Sequence, residues 1–123
     1  MKKMVILSIL IVLSTFSLCQ AEVRYTITNL GTLGGSRSEA TGINDSGQVI
    51  GSSRIAGDAE THAFLYDNGV MTDLGTLGGS TSGASSINNN GQIVGASTNG
   101  EYSAIGFQMQ LETPQLMSPD DRH

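Results

Sequence analysis

Two stretches decide the fold: Leu30–Ser53, LGTLGGSRSEATGINDSGQVIGSS, and Leu74–Ser97, LGTLGGSTSGASSINNNGQIVGAS. They align without a gap at an offset of 44 residues, and 15 of the 24 positions are identical. A fixed period of about 20–50 residues marks a repeat architecture, in which each unit buries its apolar face against its neighbours. Within one unit, Ala40–Asn44 and Gln48–Ser53 flank Asp45-Ser46-Gly47, with Asn89-Asn90-Gly91 in the second copy. Asn, Asp and Gly between β-prone segments predict a hairpin loop. His62–Tyr66 and Val70–Leu74 flank Asp67-Asn68-Gly69 and predict a second hairpin. No segment shows the i, i+3, i+4 spacing of an amphipathic helix.

Each unit therefore reads as four short antiparallel strands. That is the size of a propeller blade, which takes about 40–45 residues. The expected fold is all-β, with tandem units at about residues 30–73 and 74–109 inside a repeat domain at 22–109. Strands are predicted at about 23–30, 40–44, 48–53, 61–66, 70–74, 84–88, 92–98 and 102–109. Val23–Leu30 aligns with Asp67–Leu74 and reads as the last strand of a unit split between the two ends of the chain. Residues 110–123 carry both prolines and read as a flexible tail. Two blades do not close a ring, because propellers typically have four to eight. Three outcomes stay open: several copies closing a ring as a homo-oligomer, a small sandwich or open sheet, and a truncated array.

Working outward, residues 1–21 have the form of a secretory signal peptide. Lys2 and Lys3 precede an apolar run from Met4 to Leu18, and Cys19-Gln20-Ala21 places small residues two apart, predicting cleavage after Ala21. The apolar run is shorter than the roughly 20 residues a membrane span needs. Lipidation at Cys19 is the lesser alternative, because Leu18 stands where a small residue is usual. The expected location is secreted or periplasmic, with no membrane attachment after cleavage. Removing this segment takes away both lysines and the only cysteine, and leaves four arginines against eleven carboxylates. A net charge of −7 argues against nucleic-acid binding, which needs a basic face. Val, Ile, Leu and Phe number 20 in the remaining 102 residues, so the core is thin.

The pattern LGTLGGS-x-S-x-A…IN-x-x-GQ-x-x-G…HAF-L-Y-x-x-G-x-M-x-DLGTLGG resembles the bacterial HAF repeat family of extracellular repeat proteins. The family is named for a His-Ala-Phe tripeptide, here His62-Ala63-Phe64. The resemblance covers about Tyr25 to Phe107 and implies export, a repeat architecture and no assigned enzymatic activity. The second unit departs from it. Ser103-Ala104-Ile105-Gly106-Phe107 keeps only the alanine and an aromatic, and the segment before it reads about three residues short, which puts Ser103 in the place of His62.

Candidate chemistry is sparse. His62, the one histidine of the repeat core, reads as structural, since a catalytic base needs a nucleophile and an orienting group. Asn44, Asp45 and Asn88-Asn89-Asn90 do not fit a calcium-loop pattern and read as turn formers, with a shallow calcium site as the alternative. The Gly-rich LGTLGGS segments lack the lysine and following helix of a phosphate loop and read as connections between units. Ser36, Ser38, Ser80 and Ser82 are not part of a G-x-S-x-G elbow. No catalytic, cofactor or metal site is expected. The leading expectation is a non-enzymatic interaction module that binds an unknown protein or glycan through the loops at 31–39 and 75–83. The alternative is an exported hydrolase, for which Asp58-Ala59-Glu60 holds the only close acidic pair of the repeat domain at 22–109.

Overall fold

A computed structural model describes residues 22–112. The signal peptide, its cleavage site, Cys19 and most of the expected tail lie outside these residues. The fold is all-β, with seven strands: β1 (Gly34–Ile43), β2 (Val49–Ile55), β3 (Thr61–Asp67), β4 (Val70–Gly75), β5 (Ser82–Ile87), β6 (Ile93–Ser97) and β7 (Ile105–Met109). They form two antiparallel sheets in sequence order, β1-β2-β3-β4 and β5-β6-β7, neither of them closed. No helix occurs among the described residues.

The turns follow from local chemistry. Asn44 Oδ1 accepts from the Ser46 and Gln48 amides at 3.2 and 3.0 Å, while its Nδ2 donates to Gln48 Oε1 at 2.8 Å. Asn88 repeats this with Asn90, Gln92 and Gln92 Oε1 at 3.0, 2.9 and 2.7 Å. One side chain thus replaces several missing ladder bonds in each turn. Gly47 and Gly91 complete the two turns, both with φ of 78°. The β3–β4 turn is tighter. Asp67 pairs with Val70, and Asn68 and Gly69 have φ of 51° and 82°, the two-residue geometry that matches strand twist.

The core lies between the sheets. Ile50, Ala63, Ala84 and Ile93 are buried together, with Leu65, Leu74, Ile87, Phe107 and Met109 packed around them. Pairing puts Ile50, Ala63 and Leu65 on the face of the first sheet turned to the second. Phe64 occupies the opposite face, fully buried over its cross-strand partner Gly51. Close strand approach fixes glycine at 51: a Cβ there would run into the Glu39 carbonyl oxygen. Gly95 is in the same position, under Phe107.

The structure corrects four expectations. Val23–Leu30 forms no strand, so seven strands stand where eight were expected. Its sequence matches an outer strand, yet it pairs with neither sheet of the described chain. The first strand begins at Gly34 rather than Ala40, because the Gly-rich segment pairs with β2 across a register shift between Gly34 and Ser38. The last strand begins at Ile105 rather than residue 102, the residues just before it being bends. Finally, Ser103 does not occupy the place of His62. Gly51 pairs with Phe64 and Gly95 with Phe107, so the register matches His62-Ala63-Phe64 to Ile105-Gly106-Phe107. The second unit is short by one residue and keeps the aromatic.

Candidate functional site

The repeated sequence acts as a set of pins around the connections between elements. Thr32 Oγ1 accepts from the Gly34 amide at 3.1 Å and donates to the Gly35 carbonyl at 2.9 Å. Thr76 does the same with Gly78 and Gly79 at 3.3 and 2.7 Å. The Leu33 and Leu77 amides donate to Ser53 and Ser97 Oγ at 2.8 and 2.9 Å. Ser38 Oγ donates to the Gly31 carbonyl at 2.7 Å, and Ser82 Oγ to the Gly75 carbonyl at 2.5 Å. This places Ser36, Ser38, Ser80 and Ser82 in loop and strand-start chemistry. The 76–81 segment carries the chain from β4 of one sheet to β5 of the other, the connection its composition predicts.

Hydrogen bonds join the sheets, and those of Asn44 with Asn88 and of Asp45 with Asn89 link positions 44 residues apart. Ser82 Oγ also accepts from the Ala63 amide at 2.8 Å, and the Thr61 amide donates to the Ser80 carbonyl at 3.1 Å. Thr41, at the bulge of β1, donates from Oγ1 to the Ala84 carbonyl at 2.6 Å. Asn44 Nδ2 donates to the Asn88 carbonyl at 3.0 Å, a partner 44 residues on. The Asp45 amide donates to Asn89 Oδ1 at 2.9 Å, and Asn89 Nδ2 returns a bond to Asp45 Oδ2 at 2.8 Å. The Asn/Asp-rich turns are thus engaged in making and stacking turns. Among the described residues no group of three or more His, Cys, Asp or Glu side chains could hold a metal ion.

His62 stands at the centre of a titratable cluster. Its Nδ1 meets Asp73 and its Nε2 meets Glu60, each at 2.9 Å, with 13 % of the side chain exposed. Partial burial lowers the imidazolium pKa. The hydrogen bonds and charges of Asp73 and Glu60 outweigh that and leave it above the ordinary histidine value. As an imidazolium the ring donates to a carboxylate at each end and has no lone pair left to take a proton. No hydroxyl is hydrogen-bonded to it among the described residues. The cluster ties β3 to β4 and to the loop before it. Of the acidic pair singled out in the sequence, Glu60 joins this cluster. Asp58 turns away and accepts from the Ser36 amide at 2.7 Å, which lowers its pKa. Sequence spacing gave no sign that Asp73, eleven residues on, would meet His62.

Three concave regions lie along the sheets. A groove of about 390 Å³ is lined by Thr41, Ser52, Thr61, Thr81, Ser82, Ser85, Ser97, Thr98 and Ser103, with small residues between them. A smaller one of about 150 Å³ shares Ser52 and Thr61 with it and adds Arg37, Ser38, Glu39 and Arg54. Across the seam, a cleft of about 420 Å³ has Leu65, Leu74, Ile93, Met109 and Leu111 among its walls. The hydroxyl-lined grooves bring together parts of the two loop segments expected to form one face, around residues 37–39 and 81–83. Comparison with family models, curated proteins and solved structures finds no match in any of the three.

Proposed function

We propose that the chain is an exported, non-enzymatic repeat protein of the HAF type. Its two sheets are successive propeller-blade-like units, and it serves as an interaction module in a secreted or periplasmic setting. Export is the reading of residues 1–21. The observation that carries the binding assignment is the hydroxyl-lined groove, with Ser and Thr from both units and no charged residue in its walls. Such a lining offers donors and acceptors together, and suits a neutral polar ligand such as a glycan or an extended peptide. The blade reading draws on each sheet running in sequence order and on the crossing from the outer strand β4 to β5 of the next sheet. The His62 geometry weighs against the hydrolase alternative, because both ring nitrogens are occupied by carboxylates.

The test is a screen of the purified protein on glycan and peptide arrays, followed by titration of hits against Ser52→Ile and Thr81→Ile. At least tenfold weaker binding by these variants supports the assignment. A folded protein that binds nothing overturns it, and ester, peptide or glycoside hydrolysis lost in His62→Gln would establish the enzyme instead.

A further inference from the structure

A strand without a sheet and a sheet edge without a strand lie at opposite ends of the described chain. Val23–Leu30 aligns position by position with the segment that ends in β4, sharing Thr28 with Thr72 and Leu30 with Leu74. The local geometry at its end is already that of β4. Asn29 Oδ1 accepts from the Gly31 amide at 2.9 Å, as Asp73 Oδ1 does from the Gly75 amide at 2.7 Å. Yet Val23, Tyr25 and Ile27 are 78, 89 and 94 % exposed. At the other end, β7 pairs with β6 alone among the described residues, whereas its counterpart β3 lies between β2 and β4.

The uncovered faces fit the same pattern. Val94 is 45 % exposed where its equivalent Ile50 is fully buried. Ile43 is 68 % exposed, while its equivalent Ile87 packs on the core. Ser82 accepts the Ala63 amide from the sheet before it, whereas Ser38 holds only the Gly31 carbonyl. The positions left bare are those the inter-sheet seam covers inside the chain.

We propose that Val23–Leu30 of a second copy adds to the outer edge of β7 as an antiparallel fourth strand, joining copies head to tail. Strand addition of this kind draws its affinity from main-chain bonds and its specificity from alternate side chains. The β3–β4 register, carried over, sets Phe107 opposite Asn29, Gln108 opposite Thr28 and Met109 opposite Ile27. The free face of the second sheet then meets the free face of the next copy's first sheet, covering Val94 and Ile43, and the Gly106 amide reaches Ser38. The segment does not serve its own β7. Gly31 and Leu33 are tied to Ser38 and Ser53 of the first sheet, while β7 lies two strands beyond β5, the strand that packs on that sheet. Such a head-to-tail contact closes into a ring when the rotation allows. Each copy brings two sheets, so a ring of about four to eight sheets takes two to four copies. The addition rests on the repeat register and not on the ligand reading above.

On a Cys19→Ser background, Thr28→Cys and Gln108→Cys proteins are mixed and mildly oxidised. The expected product is a disulfide-linked dimer containing one of each, at least tenfold above the yield of Thr28→Cys mixed with Glu101→Cys. Equal yields overturn the proposal, as does a double variant that forms its bond within one chain. Thr26→Pro removes a ladder donor from a segment the single copy leaves unpaired, because Thr26 stands where Val70 is hydrogen-bonded across the hairpin to Asp67. Its circular dichroism should match the parent while the cross-link is lost. A full cross-link yield in Thr26→Pro overturns the proposal too. Failure of the array screen leaves these readouts unmoved.

Discussion

At the residue scale, the work of the repeated sequence is done by small polar side chains at fixed places. Each Asn of the IN-x-x-GQ motif closes a turn, and each Ser or Thr of LGTLGGS-x-S ties a loop to a neighbouring strand. These roles were legible in outline, since Asn, Asp and Gly name turns by their chemistry. The His62 cluster was not, because it depends on Asp73 arriving across the β3–β4 hairpin. Its consequence is a pH dependence. The folded imidazolium pKa is raised, so its contribution to stability is complete below the unfolded value of about 6.5 and is lost as pH rises through the folded value. Urea unfolding should show stability falling by about 0.5–1 kcal/mol between about pH 5.5 and 8.5, a modest figure because Glu60 and Asp73 are about 40 % exposed. In His62→Gln that fall should vanish; an unchanged slope would remove the cluster's role.

At the element scale, both hairpins of the first unit and the first hairpin of the second form where turn chemistry puts them. Boundaries moved where tertiary pairing outweighed local composition. The Gly34–Ser38 stretch has loop composition and still pairs with β2. Register at β7 was misplaced because one missing residue shifts the second unit, and only the Gly95–Phe107 pairing reveals the correct alignment. The glycines that matter most are those beneath the aromatics. Gly51→Ala should destabilise by about 1–3 kcal/mol or more, since its Cβ meets backbone that has no room to move. Gly83→Ala, whose Cβ would find only an ordinary contact at 3.8 Å with Ser52, should stay within about 0.5 kcal/mol of the parent. Thermal unfolding followed by circular dichroism compares the two, and equal losses would refute the close-approach argument.

At the scale of the whole molecule, two open antiparallel sheets pack face to face, with a small core between them. The 44-residue offset in the sequence returns as hydrogen bonds between Asn44 and Asn88 and between Asp45 and Asn89. What the sequence left open was how a two-unit array ends, because repetition specifies the seam between units and is silent on the outer faces. The described chain leaves Val23–Leu30 unpaired and β7 with a bare edge, and the proposed head-to-tail addition answers both at once. The most direct test is the solution mass of the purified protein by light scattering. The account predicts a discrete mass of two to four chains that collapses to one chain in Thr26→Pro. A wild-type protein that runs as a single chain at all concentrations would contradict it.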